Sequence, residues 1–182
     1  MLVFEVGWGN AWVLVLGLWL PAAMAASINK EAARRLVDTS WYPSKARQMM
    51  TGCMAVLAAY ILYSIGVPLR PGTACFILGL ALYTFGFVGL IATYTVCVKT
   101  PIDQPFEKGP YRISRNPLYF FTGVGLLGVS AASTSWVLVL LLIPFHFLQH
   151  KVVLAEEGYL VERYGEEYRK YTERVARYFL FF

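Results

Sequence analysis

Residues 73–98 have the sequence TACFILGLALYTFGFVGLIATYTVCV, a long run without a charged side chain. A helix needs about 20 consecutive apolar residues to cross a hydrocarbon core of ~30 Å. The run therefore predicts a transmembrane helix. The composition extends this prediction to the whole chain, because its 182 residues are 58% hydrophobic and 15% charged, whereas a soluble domain is roughly a quarter charged.

Four further apolar runs predict additional spans, over approximately residues 6–26, 49–67, 118–132 and 136–154. The run from 118 to 132 is short for a full crossing, so the last two runs predict a tilted helical hairpin, with a kink at Pro144. Small residues at Ala22–Ser27 are typical of a signal-peptide cleavage site. However, the preceding residues contain Glu5 and no Lys or Arg, which favours a retained first span.

The loops between the runs predict an orientation. Lys and Arg number five in residues 27–48, one in 67–72, four in 99–116, none in 131–135 and five from 156 onward. Because cytoplasmic loops carry the excess of positive charge, this alternation predicts an N-terminus outside and a cytoplasmic C-terminus, in the plasma (inner) membrane. The net charge of +5 then reflects loops facing anionic lipid and does not indicate a nucleic-acid partner.

The tail from residue 156 onward predicts an amphipathic helix that lies on the bilayer surface or packs over the cytoplasmic ends of the spans. Its apolar and aromatic residues recur at steps of three or four: Leu160, Tyr164, Tyr168, Tyr171, Val175 and Tyr178. The predicted fold is thus an all-α polytopic membrane bundle of about five transmembrane helices. It forms a single domain over residues 1–182, with a C-terminal amphipathic helix at the cytoplasmic surface.

Neither the cysteines nor the histidines predict a metal site. Cys53, Cys75 and Cys97 fall inside apolar runs, where a free cysteine behaves as a small hydrophobe, so no disulfide is expected either. His146 and His150 lie one helical turn apart, but the sequence offers no third ligand nearby.

Polar residues concentrate in two segments that this topology places on the same side of the membrane, RISRNPLY at 112–119 and AEEGYL at 155–160. The hairpin between them would allow Arg115 and Glu156 to meet at the mouth of the bundle. Other interpretations stay open at this point. The arginines could anchor the loop electrostatically, Asn116 and Pro117 could simply begin a helix, and Tyr119 could be an interfacial aromatic residue.

The combined pattern has specific spacing. It is G-P-Y-R-x-x-R-N-P-x-Y at residues 109–119, then a hairpin, then E-E-x-x-L-x-x-x-Y-G-x-x-Y-x-x-Y from residue 156. This pattern resembles integral-membrane methyltransferases related to isoprenylcysteine carboxyl methyltransferase and to phospholipid N-methyltransferases, over approximately residues 95–178. The resemblance implies that residues 99–182 form a catalytic half that encloses S-adenosylmethionine, whereas residues 1–98 form N-terminal spans.

The resemblance also implies roles for individual residues. Glu156 would face the methyl-accepting group, and Glu157 would hold polar groups of the cofactor. Chemistry adds that a carboxylate acceptor would need only a cation to hold it, such as Arg115 or Lys151. A position that is basic in the isoprenylcysteine enzymes, one turn before Glu156, is Val152 here. The remaining cofactor shell would consist of Gln104, Pro105, Phe106, Tyr111, Asn116, Pro117, Leu118 and Tyr119.

The function expected from the resemblance is methyl transfer from S-adenosylmethionine to a lipophilic acceptor that enters from the bilayer. The simplest acceptor is an isoprenylcysteine-type carboxylate. The alternative is N-methylation of a phospholipid head group, for which Glu156 would be the base. Two other classes stay open, an NADPH-dependent membrane reductase of the sterol type and a non-enzymatic membrane scaffold. The sequence specifies neither the acceptor nor the oligomeric state.

Overall fold

The computed structural model describes residues 7–37, 42–101 and 104–179, without the side chains of residues 33, 35 and 37. Within these ranges the chain is helical, without strands, and the start of the first predicted span at residue 6 lies outside them. Eight α-helices follow one another in the described part: α1 (Trp12–Gly17), α2 (Leu20–Ile28), α3 (Lys30–Val37), α4 (Ser44–Ile65), α5 (Ala74–Lys99), α6 (Pro117–Ala132), α7 (Trp136–Tyr164) and α8 (Glu166–Arg174). A 3₁₀ turn (Gly109–Arg112) precedes α6.

The membrane-bundle prediction is confirmed. Three helices, α4, α5 and α7, are long and apolar enough to cross a membrane, and two shorter apolar segments cover Trp12–Ile28 and Pro117–Ala132. The uncharged run at 73–98 forms α5 almost residue for residue. Thr73 caps its first turn, because the hydroxyl accepts a hydrogen bond from the Phe76 amide at 3.1 Å.

The first predicted span differs from the structure, because it is divided into α1 and α2. The division falls at Leu18 and Trp19, and Pro21 occupies the first turn of the second piece. A proline tolerates this position because its missing amide would have no intrahelical partner there. A continuous apolar run therefore does not produce a continuous helix in this segment.

Helices α5 and α6 approach each other closely through glycines. A β-carbon placed on Gly86 would lie 2.7 Å from the amide nitrogen of Gly125 and 2.8 Å from the carbonyl oxygen of Phe121. One placed on Gly128 would lie 2.7 Å from the Gly79 carbonyl oxygen. Small residues permit such backbone contact between membrane helices, where dispersion replaces the hydrophobic effect. These contacts hold α6 against α5 along most of its length.

Helix α4 packs against α7, and its Tyr60 side chain reaches α6. The buried Tyr60 hydroxyl lies 2.7 Å from the carbonyl oxygen of Leu126 and 2.9 Å from the hydroxyl of Ser130. At its other end, α4 contacts the middle of α7, where Ala46 packs with Val152. The beginning of α4 and the middle of α7 therefore lie side by side.

The predicted buried face of the tail is correct, but the predicted start of the tail helix is wrong. Helix α7 does not end near the glutamates. It continues to Tyr164, and Gly165 follows as its C-cap. Gly165 adopts a φ of +57°, a conformation that favours glycine and ends the helix. The short α8 follows. Tyr168, Tyr171 and Val175 form a buried cluster in the described part of the tail.

Candidate active site

Glu157 is buried and forms the centre of a polar cluster between the start of α6 and the tail. Its Oε1 lies 3.2 Å from Nε of Arg115 and accepts a hydrogen bond from the Asn116 amide at 2.9 Å. Its Oε2 accepts a hydrogen bond from Nε of Arg177 at 3.0 Å. Two cations and one amide therefore satisfy this carboxylate, which removes much of the cost of burying its charge.

The guanidinium of Arg115 also holds the tail. Nη1 donates to the carbonyl oxygen of Thr172 at 2.7 Å and to that of Val175 at 2.6 Å, where the last turn of α8 leaves carbonyl groups without helical partners. The Arg115 backbone amide donates to the carbonyl oxygen of Ala176 at 2.9 Å. The Arg115 side chain is only 6% exposed. Arg115 therefore joins α6, α7 and the tail in one cluster.

Asn116 and Pro117 occupy the positions predicted for a helix start, with Pro117 as the first helical residue. The Asn116 side chain, however, makes no capping hydrogen bond. Its amide points instead to Glu157, while the Asn116 backbone amide donates to the hydroxyl of Ser114 at 3.1 Å. The same Ser114 hydroxyl donates to the Arg177 carbonyl oxygen at 3.0 Å. The helix start is thus tied to the tail rather than capped by its own asparagine.

Glu156, the neighbour of Glu157, has a different environment. Its Oε2 accepts a hydrogen bond from the Tyr119 hydroxyl at 3.0 Å. Tyr42, a buried residue just before α4, lies close enough that burial and then the charge of Glu156 raise the pKa of its phenol. In the described part of the chain, Tyr119 is the hydrogen-bond donor to Glu156, and the ion pairs of this region go to Glu157. Glu156 is therefore a half-buried carboxylate among phenols.

The predicted cofactor shell lies along one continuous stretch before and into α6. Gln104 is exposed, Pro105 and Phe106 are half-buried, and the ring of Phe106 lies 5.2 Å from that of Tyr111. Tyr111 is buried, and burial raises the pKa of its phenol well above the usual value.

The Tyr111 hydroxyl lies 3.6 Å from the Cys97 sulfur. The backbone carbonyl oxygen of Tyr111 accepts a hydrogen bond from the Tyr171 hydroxyl at 2.6 Å. The Tyr111 hydroxyl is therefore directed toward α5. Pro117 is buried in α6, and the half-buried Leu118 packs against the main apolar core.

The structure brings the two predicted polar segments together but pairs them differently. Arg115 contacts Glu157, not Glu156, and its role as a cation for an acceptor carboxylate stays a prediction. Val152, at the position that is basic in the isoprenylcysteine enzymes, is buried against α4. The Lys151 ammonium lies 5.6 Å from the centre of the Phe147 ring.

Sequence reasoning did not single out Arg177, Tyr42 or Tyr171. Tyr171 belonged to the predicted apolar face of the tail, but nothing in its spacing indicated that its hydroxyl would reach the loop before α6. Arg177 appeared only as one of several basic tail residues. Tyr42 lies in a polar loop remote in sequence from both motifs, and no local pattern indicates its contact.

S-adenosylmethionine, which the resemblance implies, fits part of this residue set. An adenine ring packs well against aromatic faces, which Phe106 and Tyr111 supply. A sulfonium is a cation, and Glu156 with Tyr119 forms an anionic, aromatic environment for one. Glu157 and Asn116 are already hydrogen-bonded to each other. The fit of S-adenosylmethionine therefore depends on the other residues of the predicted cofactor shell.

The two histidines have individual partners. Nδ1 of His146 lies 2.9 Å from the Gln149 side-chain oxygen, and Nδ1 of His150 lies 3.0 Å from the Tyr178 hydroxyl. Among the described residues, no group of three or more His, Cys, Asp or Glu side chains is arranged to hold a metal ion.

Comparison with known proteins gives one family and one relative. The sequence profile of a family described as phospholipid methyltransferase matches residues 70–167. A nickel-cobalt-cadmium resistance protein, NccN, from Alcaligenes xylosoxydans xylosoxydans is 32% identical over 71 residues. That alignment covers 39% of this chain and 33% of NccN, so the chain matches about a third of its relative's length. No solved structure matches the chain.

Proposed function

Because the chain belongs to the phospholipid methyltransferase family, we propose that it transfers a methyl group from S-adenosylmethionine to an amine carried by a lipid. The observation that carries this proposal is the environment of Glu156. This carboxylate lies beside the polar segment at 112–119, with phenols rather than cations around it. The family supports the methyl transfer, and the environment of Glu156 supports the amine.

The two classes of acceptor need opposite environments. A carboxylate acceptor is already nucleophilic and needs a cation to hold it, whereas an amine arrives protonated near neutral pH and needs a base. Arg115 of the motif and Arg177 of the tail are both paired with Glu157. Glu156 is the carboxylate left to receive a proton, so the charges favour an amine over the isoprenylcysteine-type carboxylate.

The residues of this chain would then act by binding, orientation and proton transfer. Tyr119 donates to Oε2 of Glu156, which leaves Oε1 to accept a proton from the ammonium group of the acceptor. When bound, S-adenosylmethionine would supply a methyl group activated by its sulfonium. The amine nitrogen would bond to that methyl carbon as the sulfur–carbon bond breaks, S-adenosylhomocysteine would leave, and the proton taken from the ammonium would remain on Glu156. Alignment and exclusion of water supply most of the rate enhancement for such a displacement.

The other cofactor residues would hold the methyl donor. Phe106 and Tyr111 would contact its adenine ring, and the exposed Gln104 would hydrogen-bond to its polar groups. The lipid tail of the acceptor would stay in the bilayer beside the apolar helices, and its head group would enter where the beginning of α4 lies beside α7. Water-soluble donor and lipid acceptor would thus reach the site from different sides.

The test uses detergent-purified protein with methyl-labelled S-adenosylmethionine and two acceptors, phosphatidylethanolamine in mixed micelles and a prenylated cysteine with a free carboxylate. We expect label in the phospholipid in a form that resists mild alkali, as an N-methyl group does. Alkali-labile label in the prenylcysteine would replace the amine proposal with the carboxylate one. No transfer to either, together with stabilisation by NADPH and not by S-adenosylhomocysteine, would overturn methyl transfer itself.

A further inference from the structure

Gln149 is a polar residue in the buried stripe of the membrane helix α7. The neighbouring positions of this stripe are apolar, namely Leu142, Phe145 and Val152, and Gln149 falls between the last two. It is only 7% exposed. A buried amide costs free energy unless its hydrogen-bonding groups find partners, and polar residues are therefore rare within membrane bundles and usually functional. Gln149 is thus a candidate functional residue outside the two motifs.

Only one end of the Gln149 amide is satisfied within the described residues. Its Oε1 accepts a hydrogen bond from Nδ1 of His146 at 2.9 Å, and among those residues this is its one hydrogen bond. The NH₂ group, which carries two donors, has no partner there. In the described part of the chain, every fully enclosed side-chain nitrogen or oxygen does have a partner. Nε2 of Gln149 therefore opens onto space that a ligand can reach.

Gln149 and Glu156 lie on the same side of α7. Seven residues separate them, which is about two helical turns and, at ~1.5 Å per residue, about 10 Å along the axis. His146, which holds Gln149, lies against α6, since a β-carbon placed on Gly123 would be 2.9 Å from its Nε2. Gly123 is one turn after Tyr119, the partner of Glu156. Gln149 therefore belongs to the same seam between α6 and α7 as Glu156, at a deeper level in the bundle.

The position and the surroundings of Gln149 indicate the chemistry of a ligand. In a glycerophospholipid whose amine is at Glu156, the phosphate comes next, and the ester carbonyls of the acyl chains lie deeper, on the tail side. An ester carbonyl is a neutral acceptor and suits a neutral amide donor. A phosphate would bring a charge that needs a cation to offset it, whereas the stripe residues on either side, Phe145 and Val152, are apolar.

We propose that Gln149 is a specificity-determining residue, whose Nε2 donates a hydrogen bond to an acyl ester carbonyl of the lipid acceptor. The proposal rests on the proposed function, because it places the amine of the same lipid at Glu156. By holding Oε1, His146 keeps the NH₂ group of Gln149 turned toward the lipid. The acceptor is then a diacyl lipid, and the site discriminates against the dialkyl ether analogue, which has the same amine and phosphate but no carbonyl.

The test pairs a change in the protein with a change in the lipid. Gln149→Met keeps the length of the side chain and removes its donors. Thr93→Val is the matched control, because Thr93 is also a buried polar residue of a membrane helix, but its hydroxyl donates to the Gly89 carbonyl oxygen of its own helix at 2.7 Å. The two lipids are diacyl and dialkyl phosphatidylethanolamine of equal chain length.

Methyl transfer is measured on the detergent-purified full chain, with each lipid in mixed micelles and with labelled S-adenosylmethionine. We expect the wild-type protein to show a KM about fivefold lower for the diacyl lipid than for the dialkyl lipid, the size of one neutral hydrogen bond, with kcat within about twofold. Gln149→Met should raise the KM for the diacyl lipid to that of the dialkyl lipid and leave the latter unchanged. Thr93→Val should keep the wild-type preference.

Two results would overturn the proposal, an equal KM of the wild-type protein for the two lipids, or an equal loss with both lipids in Gln149→Met. If Gln149→Met does not fold, the comparison of the two lipids on the wild-type protein decides alone.

Thermal unfolding with each lipid, in the absence of the methyl donor, separates this inference from the proposed function. We expect the diacyl lipid to stabilise the wild-type protein more than the dialkyl lipid does, and Gln149→Met to abolish the difference. If this holds while no methyl group is transferred to either lipid, the proposed function fails and the contact of Gln149 stands. Equal stabilisation of the wild-type protein by the two lipids contradicts the contact, whatever the rate of transfer.

Discussion

Glu156 and Glu157 are neighbours on one helix, yet the chain gives them opposite surroundings. Glu157 receives hydrogen bonds from Arg115, Asn116 and Arg177, whereas Glu156 receives one from the phenol of Tyr119. A carboxylate that is held by two cations has little capacity left for a ligand. A carboxylate beside a phenol keeps its other oxygen for a ligand. The partners, rather than the residue type, therefore distinguish a structural anchor from a candidate base.

The largest effect is expected at Glu156. Glu156→Gln should lower the rate of methyl transfer by ~10²- to 10⁴-fold, because the amide cannot take the proton from an acceptor amine. Stabilisation of the protein by S-adenosylhomocysteine, measured by thermal unfolding in detergent, should persist. If Glu156→Gln kept the wild-type rate, the contrast between the two glutamates would have no functional meaning.

Removal of Arg115 should act on stability. Arg115→Ala leaves Glu157 with one fewer cation and frees the carbonyl oxygens of Thr172 and Val175. Loss of one partner of a buried ion pair costs about 3 kcal/mol, which lowers the unfolding temperature by on the order of 10 °C for a chain of this size. Arg112→Ala is the matched control, since Arg112 is exposed in the same loop. Equal stability of the two variants would contradict the anchoring role of Arg115.

Arg177 should matter less than Arg115, although both contact Glu157. Its side chain is 28% exposed, against 6% for Arg115, so water compensates for part of the lost contact. Arg177→Gln should lower the free energy of unfolding by about 1 kcal/mol. The unfolding temperatures of the two variants, measured side by side, check this order. A reversed order would mean that the tail arginine is the principal partner of Glu157.

The smallest effect is expected at the exposed ion pair of α8. Nε of Arg169 lies 3.7 Å from Glu166, with side chains that are 62% and 78% exposed. Because solvent screens such pairs, Arg169→Ala should change the free energy of unfolding by no more than ~0.5 kcal/mol. The same thermal assay tests it. A loss as large as that of Arg115→Ala would show that burial does not distinguish the two clusters.

The fold could be predicted where one physical requirement dominates. The uncharged run at 73–98 became α5 because a span of that length in lipid must satisfy its backbone as a helix. The division of the first span and the extension of α7 could not be predicted in this way. Both depend on local backbone geometry, such as the positive φ of Gly165, and a membrane boundary does not by itself end a helix.

The site could be predicted only to the level of segments. The order of the two motifs placed Arg115 near a glutamate, but successive residues on a helix point about 100° apart, and the sequence did not indicate which of the two carboxylates would turn toward the arginine. The other partners of Arg115 are the backbone carbonyls of Thr172 and Val175. Every residue has a carbonyl, so such contacts leave no signature in a sequence.

The ties between the motif and the tail also impose an order on synthesis. Arg115 is synthesised well before its partners Thr172 and Val175, and Glu157 before its partner Arg177. The apolar helices can enter the bilayer while these charged groups are still hydrated at its surface. Only when the tail has been translated can it fold over them and exclude that water. The protein thus acquires its place in the membrane first and its completed site last.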